Sequence, residues 1–526
     1  MNHKQTPASP KTRNTLYESM GKTIQCFSQS LKECIILLES FPKHTIKSEI
    51  FDAFLSLNIY IQYVSVELSS IVRACFRANL PTEKLYNLKW INCVIFESYM
   101  YLYGYGKDKN QSLWITKVKP LLDFLNHQEF EDDYKIVENQ IIKFRDSNIT
   151  SRNNRNLSFH YDLEPLSVYN MWINLNEEEE FQRMNRFMAL LHDINLFTSK
   201  YIRDNSIKIN FELKPSDYYY TFSFSDFDIF GDNKDTLFSK MESAIQDHAI
   251  RLGSFISFQN IPELISKHFP DMDDESVASI HRIIEINKIS IQLTYIAIDL
   301  ASAVRAFISS EYTMERQLSL KQINTIIYEG FNKLYALDDN LEKSFWGKFI
   351  CPLITVCKDS TMISEFNSID KKLRELQQIV IKYDRQRQLS VHLDAGIPAV
   401  YSMLHSLNPV KEVIKASQLL NILPKILDFL SKCLNMIYLN NQAIYKKRKA
   451  PVFEKIDDII NNVKLSPNLQ QKDKEEFIEL LLLYREIPPQ KQQSSTIINN
   501  HQQSTAPSTV AMLNQILHPF FSSLSI

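Results

Sequence analysis

Two short elements of this chain pair a permanently charged guanidinium with an imidazole: Arg155 with His160, and Arg387 with His392, each spaced Arg-x4-His. Arg can hold a phosphate bidentately, and His, whose ordinary pKa is about 6.5, exchanges protons near neutral pH. Such a pair could cut RNA without a metal. The His takes a proton from the ribose 2′-hydroxyl or gives one to the leaving oxygen, while the Arg stabilises the charged phosphorane-like transition state. One pair is half the equipment, because acid plus base catalysis needs two His. On an ideal helix a spacing of five separates side chains by about 140°. Both then face one ligand only where a helix starts or bends. The run DSNITSRNN before Arg155, Pro165 after His160 and Pro398 after His392 permit that.

A duplication positions these elements. YVSVELSSIVRA from Tyr63 matches YIAIDLASAVRA from Tyr295, 232 residues later, and the offset continues through Leu88, Lys89, Ile91, Asn92, Ile95, Glu97 and Tyr103 onto Leu320, Lys321, Ile323, Asn324, Ile327, Glu329 and Tyr335. Trp114 and Pro120 fall on Trp346 and Pro352, and RNLSFHYD from Arg155 falls on RQLSVHLD from Arg387. TLYESMGKTIQ from Thr15 meets TLFSKMESAIQ from Thr236 at an offset of 221, so the second copy carries 11 extra residues between these blocks. Phe159, Tyr161 and Glu164 have diverged from Val391, Leu393 and Gly396, whereas Arg, Leu, Ser, His and Asp have stayed. Apolar residues recur at three and four over about 46–78, 81–104, 130–146 and 177–203, which predicts helices there, with Pro81 in a first turn.

Composition narrows the rest. At 526 residues the chain exceeds one ordinary core, and 44% hydrophobic with 23% charged residues is a globular balance. Only 8 Gly leave little material for phosphate loops or β-turns, and a net charge of −2 gives no global attraction for nucleic acid. The seven Cys include no C-x-x-C pair, and no zinc-protease helix, nucleophile elbow or P-loop occurs. No cofactor and no metal are expected. The polar start MNHKQTPASPKTRNT has no secretory character, and no run reaches the roughly 18 apolar residues of a membrane span, so a cytoplasmic protein without a membrane role is expected.

RNLSFH and RQLSVH resemble the Arg-x4–6-His motif of the HEPN superfamily, helical-bundle domains common in antiviral and toxin systems. In that family the residue after Arg is usually polar, as Asn156 and Gln388 are here. The resemblance implies a four- to five-helix bundle that pairs about a two-fold axis and places both motifs in one shared cleft, a metal-independent endoribonuclease site. It implies Arg155, His160, Arg387 and His392 as catalytic, with Asn156 and Gln388 as support. Some members carry a Tyr two residues after the His, where this chain has Asp162 and Asp394. RNA is then the substrate, and an antitoxin or regulatory protein is a partner in such systems.

The expected fold is therefore all-α, with two tandem helical-bundle repeats forming an intramolecular pseudo-dimer and a C-terminal helical extension. The boundaries read as an unstructured 1–14, repeat one at 15–204, an aromatic linker or hairpin at 205–235, repeat two at 236–445, the extension at 446–486 opening on the basic YKKRKAP, a polar tract at 487–508 and an apolar end at 509–526. Two other readings stay open: a non-catalytic helical scaffold, in which Arg155 caps a helix with Asp162, and a phosphate-ligand binder. Glu67 with Arg73, and Asp299 with Arg305, are expected to pair with neighbouring helices, and Trp114 and Trp346 to anchor cores. Tyr169 and Tyr401 read similarly as core residues, although, nine residues beyond each His, they could also border the cleft as substrate-binding or supporting groups.

Overall fold

The computed structural model describes residues 10–40, 46–104, 110–125, 127–148, 165–204, 233–268, 274–337, 340–355, 359–381, 393, 396–445, 459–465 and a few positions between 471 and 478. The described residues form an all-α structure, without strands. The N-terminal half runs α1 (Pro10–Ser40), α2 (Ile46–Arg77), α3 (Pro81–Leu102), α4 (Leu121–Leu125), α5 (Gln128–Asn148), α6 (Pro165–Ile173) and α7 (Glu177–Asp204). The C-terminal half repeats the order: α8 (Lys234–His268), α9 (Asp274–Ser309), α10 (Thr313–Tyr335), α11 (Cys351–Thr355), α12 (Ser360–Val380), α13 (Ile397–Ser406) and α14 (Pro409–Tyr445). α1 starts at Pro10, ahead of position 15 where the first repeat was expected to begin, with a residue suited to a first turn.

α2 and α9 are apolar on nearly every side because they lie at the centre. Tyr60, Tyr63, Val64 and Leu68, and Ile291, Tyr295, Ile298 and Leu300, are all buried. The expectation that no run is apolar enough to cross a bilayer needs correcting: His281–Ser309 has an 18-residue window of mean hydropathy 1.4. That window is entirely buried, so packing on all sides accounts for its apolarity.

Helix starts follow local chemistry. α3 opens with Pro81, and the Glu83 side chain accepts from Asn79 N at 3.2 Å; at the matching place in α10, Glu315 accepts from Glu311 N at 2.9 Å. Asn176 and Asn408, again 232 apart, cap α7 and α14, Asn176 Oδ1 accepting from Glu178 N at 2.9 Å and Asn408 Oδ1 from Lys411 N at 3.0 Å. Between α3 and α5 a π-turn at Trp114–Val118 precedes Pro120, which has no N–H to donate, and Trp346–Ile350 repeats it before Pro352. Both Trp side chains are buried core anchors. Trp114 stacks on Tyr134 and Trp346 on Phe366, with ring centroids 5.2 Å and 5.0 Å apart. After α14, residues 459–465 are helical and dock Ile459, Ile460 and Val463 into the core.

Candidate functional site

Charged side chains on α2, α3, α9 and α10 meet across the junction of the two halves. Lys321 Nζ donates to Glu67 Oε1 at 2.6 Å and to Tyr63 Oη at 2.9 Å, and Lys89 bonds Asp299. Arg305 Nη1 reaches Glu83 Oε2 at 2.9 Å, while Arg73 Nε and Arg77 Nη2 reach Glu315 Oε1 at 3.4 Å and 2.6 Å. Lys89 and Lys321, Glu67 and Asp299, Arg73 and Arg305, and Glu83 and Glu315 are each separated by 232 residues, so the four ion pairs Lys321–Glu67, Lys89–Asp299, Arg305–Glu83 and Arg73–Glu315 fall into two matched sets, whereas the Lys321–Tyr63 and Arg77–Glu315 bonds belong to one side only. The guanidiniums repeat too: Arg73 lies 3.8 Å over the Tyr17 ring and Arg305 4.2 Å over Phe238. None of these eight charged side chains is more than 7% exposed. Burial pushes the Glu83 carboxyl up despite the opposing pull of Arg305. Glu67, Arg73, Asp299 and Arg305 thus pair with neighbouring helices and do not line an open cleft.

The Arg-x4-His elements lie in the segments joining α5 to α6 and α12 to α13. Arg155, Asn156, His160, Asp162, Arg387, Gln388, His392 and Asp394 fall outside the described residues. Their anchors are described. Asn148, which ends α5, accepts from Arg186 of α7 at 2.7 Å. Leu393, between His392 and Asp394, is buried, and its carbonyl accepts from Gly396 N at 2.8 Å. Gly396 has φ +84°, a left-handed conformation that glycine adopts without strain, immediately before α13.

The helix after each element rests on the central helix of the opposite half. α6 packs on α9, with the Trp172 ring edge-on to Tyr295 at 4.7 Å and Lys89 Nζ 5.2 Å from the Trp172 ring; α13 packs on α2 and α10. Tyr169 is half-buried on α6 and Tyr401 buried on α13, where its ring lies 4.2 Å from His405. His405 Nδ1 is 2.8 Å from the Tyr401 carbonyl, and burial lowers the pKa of the imidazole, Lys32 of α1 adding to the effect.

A further buried polar group was missed in the sequence. Arg183 of α7 donates to Asn92 of α3 and, at 2.9 Å, to Glu180 Oε2; in the other half Glu412 and Lys415 of α14 pair at the corresponding positions. Burial raises the pKa of Glu180 and of Glu412 and lowers that of Lys415. The signal was available, since Asn92 with Asn324, Glu180 with Glu412, and Arg183 with Lys415 all keep the 232-residue interval. The Arg183 bonds tie the start of α7, through Glu180 in its first turn, to Asn92 of α3.

Comparison with known proteins returns no family model, no curated protein and no solved structure that matches this chain.

Proposed function

We propose that the chain is a metal-independent endoribonuclease of HEPN type acting in antiviral defence or in a toxin system, its two halves forming an intramolecular pseudo-dimer with one cleft between them. In this reading Arg155 and Arg387 hold the scissile phosphate. His160 and His392 divide the acid and base roles, with Asn156, Gln388, Asp162, Asp394, Tyr169 and Tyr401 as substrate-binding or supporting groups. The observation that carries it is reciprocity: the cross-junction ion pairs recur at 232 residues, and α6 and α13, each following one Arg-x4-His segment, lean on the opposite half. An isologous junction of this kind brings equivalent segments toward a common axis. The charges at the junction are themselves paired and buried, so phosphate chemistry falls to the motif residues.

Purified protein incubated with total RNA in excess EDTA tests this. Cleavage that survives chelation and is lost in both His160→Ala and His392→Ala is the expected result. A folded protein that leaves RNA intact under all conditions replaces this reading with that of a helical scaffold.

A further inference from the structure

The two halves differ in charge on one face, formed by the helix that enters the motif segment and the long helix that closes the half. In the N-terminal half these are α5 and α7, bridged at heptad intervals. Lys200 Nζ bonds Asp133 Oδ2 at 2.6 Å, and seven residues along α5 Gln140 Nε2 donates to Asp193 Oδ2 at 3.2 Å. In the C-terminal half α12 and α14 keep the first bridge, Lys432 Nζ with Glu365 Oε2 at 2.6 Å. At the second position Gln140 and Asp193 have become Lys372 and Lys425, 232 residues on. Both are exposed and stand at the register where Gln140 and Asp193 bond in the other half, one heptad from the Lys432–Glu365 bridge; the charge of Lys372 lowers the proton affinity of Lys425. Lys371 is exposed beside them.

Counted over the whole helices, α7 carries four Arg and Lys against six acids and α14 four Lys against two, of which Lys415 is buried against Glu412 and Lys432 bridges to Glu365; α5 has three basic residues against six acids, and α12 three against three. Facing ammonium groups repel, and an anion seated between them reverses the sign of that interaction. We propose that the α12–α14 face, centred on Lys372 and Lys425, binds the phosphodiester backbone of single-stranded RNA, with one phosphate bridging the two lysines. Lys372 stands about 12 Å along α12 from its C-terminal end, and Arg387 and His392 follow that end by 7 and 12 residues in the sequence. The inference rests on RNA being the substrate.

The test restores the N-terminal pair with Lys372→Gln/Lys425→Asp, built in the His160→Ala/His392→Ala background so that RNA stays whole. Binding of a fluorescent single-stranded RNA is followed by anisotropy across a salt series. Losing the one bridged phosphate makes the log–log salt slope shallower by about 0.7 and weakens binding at 0.1 M salt about five-fold. Thermal melting of the variant is expected at or above the parent's, because a like-charge contact is removed. Unchanged affinity and slope in a folded variant overturn the proposal. So does inorganic phosphate that occupies the lysines while RNA binds regardless of them. Binding that depends on the lysines, with no cleavage by the unmutated protein, keeps the strand-binding face and removes the nuclease reading; cleavage that depends on His160 and His392 with binding indifferent to the lysines does the reverse.

Discussion

Lys321 and Glu67 offer a direct measure of what joins the halves. The ammonium is 6% exposed and the carboxylate 4%, their atoms are 2.6 Å apart, and Lys321 also donates to Tyr63 Oη. Lys321→Met leaves a carboxylate buried with its cation gone, and Glu67→Leu leaves a buried ammonium. Breaking one side of such a pair costs about 3–5 kcal/mol, because desolvation is no longer offset. Replacing both members together removes the desolvation as well as the attraction, so Lys321→Met/Glu67→Leu is expected within about 1–2 kcal/mol of the parent. The assay is urea unfolding followed by far-UV circular dichroism, closing a double-mutant cycle with a coupling of at least about 2 kcal/mol. Single variants that lose less than 1 kcal/mol, or a double variant that loses the sum of the two, would refute the claim that this is a buried, mutually dependent pair. The counterpart Lys89 with Asp299, also nearly buried, is expected to behave alike.

Three other outcomes follow from particular contacts. His248 on α8 is 4% exposed, and burial first, then Arg251, lowers its pKa to about 4. With an unfolded value of about 6.5 the unfolded state binds more protons between pH 6.5 and 4. Stability is therefore full above that window and falls by up to about 3 kcal/mol as pH drops through it, a slope that denaturation at stepped pH should find flattened in His248→Leu. Trp346 Nε1 donates to Asp370 Oδ1 at 2.9 Å in the core, so Trp346→Phe, which removes that donor from a half-buried carboxylate, is expected to cost about 1–3 kcal/mol by chemical denaturation. A Cβ at Gly21 would sit 2.7 Å from Arg73 Nη1, while one at Gly253 meets nothing within 4 Å. Gly21→Ala should lose about 1–2 kcal/mol net and Gly253→Ala gain about 1, read as opposite shifts in melting temperature.

Much of the fold was legible because apolar spacing and a few punctuating residues agree. The predicted spans 46–78, 81–104, 130–146 and 177–203 correspond to Ile46–Arg77, Pro81–Leu102, Gln128–Asn148 and Glu177–Asp204. Pro10 escaped notice because its surroundings are polar and α1 gains its apolar stripe only further along. The hydropathy of α9 was underrated because charged residues within it, Asp299 and Arg305, are satisfied across the junction and do not mark solvent exposure. Their partners were in view: a charge kept at matched positions within a buried helix needs an opposite charge kept likewise, and Lys89 with Lys321 is such a pair. Glu83 and Glu315 were harder to see, since each also caps its own helix. Spacing alone marked the Arg-x4-His elements. They lie outside the described residues.

The junction has a property that concerns each half taken singly. Residues 10–204 contain Lys89 together with Glu67, and Arg73 together with Glu83, the same ion types that bond across the junction. A half-chain would therefore expose these ions to water, and a second copy of itself would carry the matching charges. Joining the halves replaces that encounter, whose population depends on concentration, with one that is always local. It also frees the two surfaces to change independently. A homodimer must mutate both sides of its axis at once, but the fused chain could turn Gln140 and Asp193 into Lys372 and Lys425 on one side alone, giving one half a charge that the other does not share.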